Sequence, residues 1–173
     1  MTTNIDQALL YLKLRALIID DNEHMRALLR KLLQRMFIES TECQDGSESL
    51  ATVTMDKPNF ILTDYSMAPM DGITFVGKLR RLEDKQIRKT PVIMVTGHAN
   101  RECIASARDS GVNEILVKPV TEGGLQSRIR EVVFRPRVWV DSSTYNGPCR
   151  RRRQDPNYKG SERRARDSES VLI

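Results

Sequence analysis

Long apolar runs are missing from this chain of 173 residues. No stretch approaches the roughly 20 residues that a membrane-spanning helix needs, so no membrane insertion is expected. The first residues also lack a basic region followed by an apolar run. No signal peptide is therefore expected, and the chain is placed in the cytoplasm. Cysteine is scarce and odd in number: Cys43, Cys103 and Cys149 show no paired spacing, which points to reduced thiols rather than a disulfide framework. The two histidines, His24 and His98, do not complete a metal-ligand set with them. A surplus of one charge is absent from most of the chain. Of 28 Lys+Arg and 23 Asp+Glu, residues 134–173 hold 10 and 5, leaving 18 of each before them. The net charge of +5 and the pI of about 9.3 thus describe a tail and not a basic domain.

What is present is an alternation. Residues 4–13 carry Ile5, Ala8, Leu9 and Leu12 at helical spacing, and residues 1–13 are read as a helical extension. Leu14 to Asp20 predicts a strand, and Glu23 to Met36 a helix capped by Asn22. Phe37 to Cys43 predicts a second strand, less apolar and so placed at an edge. Asp45-Gly46 marks a turn, and Ser47 to Met55 a helix that stops before Pro58. Asn59 to Asp64 is the third strand. Gly72 opens a helix bearing Phe75, Val76, Leu79 and Leu82. Pro91 to Thr96 is the fourth strand, Glu102 to Ser110 a polar helix closed by Gly111, and Asn113 to Lys118 the fifth strand. Leu125, Ile129, Val132 and Val133 mark the last helix, after a poor start at Gly123-Gly124. Five strand–helix units over residues 14–134 imply an α/β domain with a parallel sheet covered on both faces.

Three of these strands end in charge. Ala16-Leu17-Ile18-Ile19 runs into Asp20-Asp21, Phe60-Ile61-Leu62-Thr63 into Asp64, and Ile115-Leu116-Val117 into Lys118-Pro119. Ligands of open α/β sheets bind at the carboxyl edge, where these residues would meet. Crowded carboxylates raise one another's pKa unless a cation lies between them, so Asp20, Asp21 and Asp64 favour a hard divalent ion with oxygen ligands. Few protein ligands and room for water suit Mg2+, with Mn2+ as a substitute. Lys118 would pair with Asp64 or with an anion bound there, and Thr96 would offer its hydroxyl to the same anion. That set stabilises a transferring phosphoryl group, with Asp64 as the nucleophile. The plainer reading is a structural ion-pair cluster, since acids at strand ends are common.

The pieces Leu17-Ile18-Ile19-Asp20-Asp21-Asn22, Thr63-Asp64-Tyr65-Ser66-Met67, Met70-Asp71-Gly72, Val95-Thr96-Gly97 and Val117-Lys118-Pro119 occur together and in order. In this the chain resembles the receiver domain of bacterial two-component response regulators over roughly residues 14–134. The resemblance implies a flavodoxin-like fold with sheet order 2-1-3-4-5. It implies that Asp64 accepts phosphate from a sensor histidine kinase or a histidine phosphotransfer protein, within a phosphorelay rather than as an enzyme, with slow self-dephosphorylation at most. Asp21, Asp64 and the backbone carbonyl of Ser66 would ligate Mg2+, with Asp20 acting through metal-bound water. Thr96 and Lys118 would hold the phosphoryl oxygens, and the bond before Pro119 would be cis. Three departures are visible. Ala68 stands where the family places proline, which comes one residue later as Pro69. Ile115 replaces an aromatic switch residue. Ser66 and His98 fill positions that tune dephosphorylation.

Phosphorylation would rearrange the face around residues 97–134, which would then bind a downstream protein or a second copy through the last two helices. Residues 135–173 break the alternation and are read as an Arg-rich tail that is either disordered, at least in part, or folds back only in part. It holds a crude repeat: Tyr145-Asn146-Gly147 and Tyr158-Lys159-Gly160 each precede an arginine cluster. The tail is too short for an ordinary DNA-binding output domain. Contact with an acidic protein or with nucleic acid remains open, and a nucleic-acid-binding regulator acting through this tail is the alternative function. Trp139, between Val138 and Val140, is expected to anchor the start of the tail to the domain.

Overall fold

A computed structural model describes residues 11, 13–97 and 99–150. The expectations for the N-terminal helix, for His98 and for the second arginine repeat lie outside those residues. Five parallel strands form one sheet in the order β2-β1-β3-β4-β5. They are β1 (Arg15–Ile19), β2 (Glu39–Cys43), β3 (Phe60–Asp64), β4 (Val92–Thr96) and β5 (Glu114–Val117). The helices are α1 (Glu23–Arg35), α2 (Gly46–Asp56), α3 (Gly72–Leu79), α4 (Arg101–Ser110) and α5 (Glu122–Ile129). This is the flavodoxin-like arrangement expected, with β2 at an edge and only half buried.

Alternation along the strands divides the core in two. Ile18, Leu62, Ile93 and Leu116 face Leu29 and Leu33 of α1 and Leu125 and Ile129 of α5. Leu17, Ile19, Ile61 and Met94 face Val53 of α2, Phe75 and Val76 of α3 and Ala107 of α4. β3 and β4 are buried at every position, as central strands covered on both faces must be. Side-chain caps set the helix starts. Asn22 Oδ1 accepts from the Met25 amide, Asp71 Oδ1 from Thr74 and Asn100 Oδ1 from Cys103. Gly111 ends α4 in the left-handed region at φ 94°. Thr121 caps α5 through the Gly124 amide, which rescues the weak Gly-Gly start.

Three features differ from the sequence expectations. A short helical turn, Lys85–Arg88, precedes β4 and buries Ile87. The helix after β5 widens into a π-turn over Arg130–Phe134, so the apolar periodicity through Val132 is right but its geometry is not purely α. The chain past 134 also continues to make contacts with the sheet's base. Trp139–Asp141 (β6) and Asn146–Pro148 (β7) pair as an antiparallel hairpin. Trp139 stacks on the guanidinium of Arg80 at 5.0 Å, as an anchor should. Asp141 pairs with Arg88, and Arg137 donates to the Asn113 and Cys149 carbonyls. Two glycines permit this close approach: a Cβ on Gly111 would lie 2.8 Å from the Asn146 carbonyl oxygen, and one on Gly147 2.9 Å from Gly111 Cα. Among the described residues no helix is long and apolar enough to cross a membrane.

Candidate functional site

Parallel pairing brings the charged strand ends to one rim. Ile19 lies beside Thr63, Asp64 beside Val95, and Thr96 beside Val117. Asp64 therefore ends β3 between the acids that follow β1 and the threonine that ends β4. Its carboxylate is buried and gripped from two sides: Oδ1 accepts from Lys118 Nζ at 2.6 Å, and Oδ2 from the Ser66 amide at 2.9 Å. Lys118 follows β5, and the bond to Pro119 is cis, as the resemblance implied. Residues 54 apart in sequence thus form the central ion pair.

Asp20 is almost wholly buried, at 1% exposure. Its Oδ1 accepts from the Asn22 amide at 2.9 Å. Its Oδ2 has no hydrogen-bond donor among the described residues and lies 3.7 Å from Lys118 Nζ. Burial pushes the Asp20 pKa up; the Asn22 N–H acts against that, and repulsion from Asp64 adds to it, with Lys118 and Asp21 contributing less. Asp21 is exposed and reaches across to the loop after β3, where its Oδ2 lies 3.4 Å from the Ala68 amide. Thr96 is buried, with its Oγ1 3.9 Å from Cys103 Sγ. The loop after Asp64 carries a second cis bond, Ala68–Pro69. Met70 of that loop packs toward Gly46, and Gly72 donates its amide to the Tyr65 carbonyl at 3.1 Å.

Asp20 and Asp64 both meet Lys118 at the rim, Asp21 joins through the loop, and Thr96 ends β4 at the same edge with its hydroxyl beside Cys103. Among the described residues no three carboxylate, histidine or cysteine side chains close into a ready metal cage. An ion that keeps most of its water needs no such cage, and Mg2+ is of that kind. A buried carboxylate oxygen without a donor, beside two further acids, is a position a hard cation would satisfy. Ile115 is partly buried against the core on the α3–α4 side. Sequence reasoning missed Arg26, whose Nη1 donates to the Asp20 carbonyl at 2.8 Å. An arginine in the first turns of an amphipathic helix reads as solvent-facing, and no sequence signal marks it otherwise.

The crowding gives a direct expectation. Since the folded-state pKa of Asp20 is raised, the native state pays a penalty for its charge above that pKa and loses the penalty as pH falls through it. Asp20→Asn removes the charge at every pH. Without divalent ions near pH 7 it should stabilise the fold, by on the order of 1 kcal/mol in urea denaturation. The gain should shrink as pH falls toward the carboxylate range. Unchanged or lower stability at pH 7 would show that the acids are not in conflict.

A five-stranded 2-1-3-4-5 sheet with acids and a lysine meeting at its carboxyl rim defines a receiver domain. The chain belongs to that family: the model described as response regulator receiver domain matches residues 16–130. Among curated relatives, chemotaxis protein CheY-3 of Vibrio cholerae serotype O1 is 32% identical over 130 residues, covering 75% of this chain and 98% of its own. Chemotaxis protein CheY of Pseudomonas aeruginosa is 33% identical over 123 residues, covering 70% and 98%. Among solved structures, the chemotaxis protein CheY4 of Vibrio cholerae superposes with a TM-score of 0.65 at 28% identity, covering 69% of this chain and 98% of that one. The β6–β7 hairpin lies beyond the stretch matched to the family.

Proposed function

We propose that this chain is a phosphorylation-controlled switch in two-component signalling, with Asp64 as its phosphoacceptor. The observation that carries the reading is the 2.6 Å contact between Lys118 Nζ and a buried Asp64, beside an Asp20 Oδ2 that has no hydrogen-bond donor among the described residues. Asp20, Asp21, Asp64 and the Ser66 carbonyl would hold Mg2+, as receiver domains generally do at this site. When bound, the ion would offset the charge on the phosphoryl oxygens. An Asp64 oxygen attacks phosphorus in line with the phosphohistidine nitrogen. The P–N bond breaks as the new P–O bond forms, and the electron pair leaves with the imidazole. Lys118 exchanges its ion pair with the carboxylate for one with a phosphoryl oxygen, and Thr96 donates its hydroxyl to another. The donor is a sensor histidine kinase or a histidine phosphotransfer protein.

The acyl phosphate carries about two negative charges where the carboxylate carried one, and this pulls on the ends of β4 and β5, so the output surface lies around residues 97–134. Ile104 and Val117, each 45% exposed, give that face the apolar area a downstream protein or a second copy would cover. Ile115 in place of an aromatic shifts the weight of the switch to Thr96 and the loop after it. A phosphate-affinity gel tests the reading. Acetyl phosphate with Mg2+ should retard the wild type and leave Asp64→Asn unshifted, and chelation should abolish the wild-type shift. A shift of equal size in Asp64→Asn would refute the assignment.

A further inference from the structure

The Asp20 residue is held at nearly every polar atom. Its amide donates to the Cys43 carbonyl at 3.3 Å, its Oδ1 accepts from Asn22, and its carbonyl accepts from Arg26. Only Oδ2 is left to face the rim. Arg26 itself is an unusual occupant of α1. It is 8% exposed, although Leu29 and Leu33 already pack that helix on the sheet. A buried guanidinium is costly unless fully paired. Here Nε pairs with Glu42 at 3.3 Å, and Glu42 in turn takes Arg30 at 2.6 Å.

We propose that Arg26 is a positioning residue for divalent-cation binding at the acid rim. It fixes the peptide that joins Asp20 to Asp21, and so the directions from which both carboxylates approach the ion. This rests on the metal reading given above. Two effects of opposite sign compete. The positive charge of Arg26 repels a second cation, while its hydrogen bond orders the ligands. Glu42, shared with the exposed Arg30, offsets part of that charge, while the hydrogen bond acts directly on the peptide between the two acids, so the ordering effect is the larger. Removing the side chain therefore weakens the ion, as loss of an outer partner of metal ligands does elsewhere.

The test is calorimetric titration of the full chain with Mg2+, alongside phosphorylation by acetyl phosphate at saturating Mg2+ and thermal unfolding. Arg26→Met should raise the Kd for Mg2+ about tenfold. At saturating Mg2+ its phosphorylation rate should stay within about threefold of wild type, the pattern of a lost binding contribution. Arg26→Lys, which keeps the charge but offers a less suited donor, should fall between. Glu42→Gln keeps the contact to Asp20 and exposes the charge. Its smaller loss of affinity should fade as salt is raised. Wild-type binding with an Arg26→Met Kd within about twofold of it, whatever the melting temperature does, overturns the positioning role alone. Absence of Mg2+ binding in the wild type overturns the metal reading as well. Should Arg26→Met fail to fold, Arg26→Lys and Glu42→Gln decide the matter: unchanged affinity in both refutes it.

Discussion

Gly72→Ala should cost the protein about 3 kcal/mol or more in denaturant unfolding, although it adds one methyl group to a helix. A Cβ at this position would lie far inside the radius of the Asp64 carbonyl oxygen. Backbone cannot yield there as a flexible side chain would. Either α3 must move off the sheet, breaking the hydrogen bond that the Gly72 N–H donates to the Tyr65 carbonyl, or the end of β3 must shift. The second route displaces the phosphoacceptor, so uptake of phosphate from acetyl phosphate should fall with stability. Gly77, five residues further along α3, is the control: a Cβ there meets nothing within 4 Å. Gly77→Ala should stabilise by about 0.5–1 kcal/mol through helix propensity alone. Equal effects at the two positions would mean that Gly72 is conserving flexibility and not space.

Arg80→Met should be comparably severe, on the order of 3–5 kcal/mol. The guanidinium is buried, and burial pushes its pKa down to about 9, so it remains charged at neutral pH. No carboxylate among the described residues pairs with it. It donates instead to the carbonyls of Gly111, Arg88 and Thr90 and to Asn113 Oδ1. Those groups lie at the bases of β4 and β5, so one side chain ties both strands together below the site. Methionine fills similar space and takes the guanidinium away from the three carbonyls, while Asn113 Oδ1 keeps the Val92 amide; the loss is about 1–3 kcal/mol for a single buried group. Lysine would recover part of this, having three donors on a point and not a planar fork. Trp139→Ala should cost less by itself. In the Arg80→Met background it should cost less still, because the stacked cation is gone. Additive losses in that double-mutant cycle would show that the hairpin and Arg80 stabilise the domain separately.

The sheet was legible because each of its signals is local. β3 and β4 are short apolar runs bounded by turns, and the caps Asn22 and Gly111 sit where residue type alone places them. The rim was legible for a related reason. Asp20, Asp64, Thr96 and Lys118 each end or follow a strand, so parallel order suffices to gather them. What escaped depends on partners distant in sequence. The β6–β7 hairpin has only three residues per strand, and Asn146-Gly147, the usual turn signal, lies inside β7. Its order comes from Arg80, Arg88 and Asn113, which no reading of residues 135–150 could supply. Arg26 was missed in the same way, since its partners Asp20 and Glu42 lie in two different strand regions.

The most direct measurement locates the phosphoryl group. The full chain is incubated with acetyl phosphate and Mg2+, the acyl phosphate is reduced with borohydride, and the digest is mapped by mass spectrometry. The reduced residue should be Asp64, within the peptide that carries Thr63 and Tyr65, and it should vanish when Mg2+ is chelated. Reduction at Asp20 or Asp21 instead, or a wild-type chain left unmodified with Mg2+ present, would contradict the assignment of this rim as a phosphoryl-acceptor site.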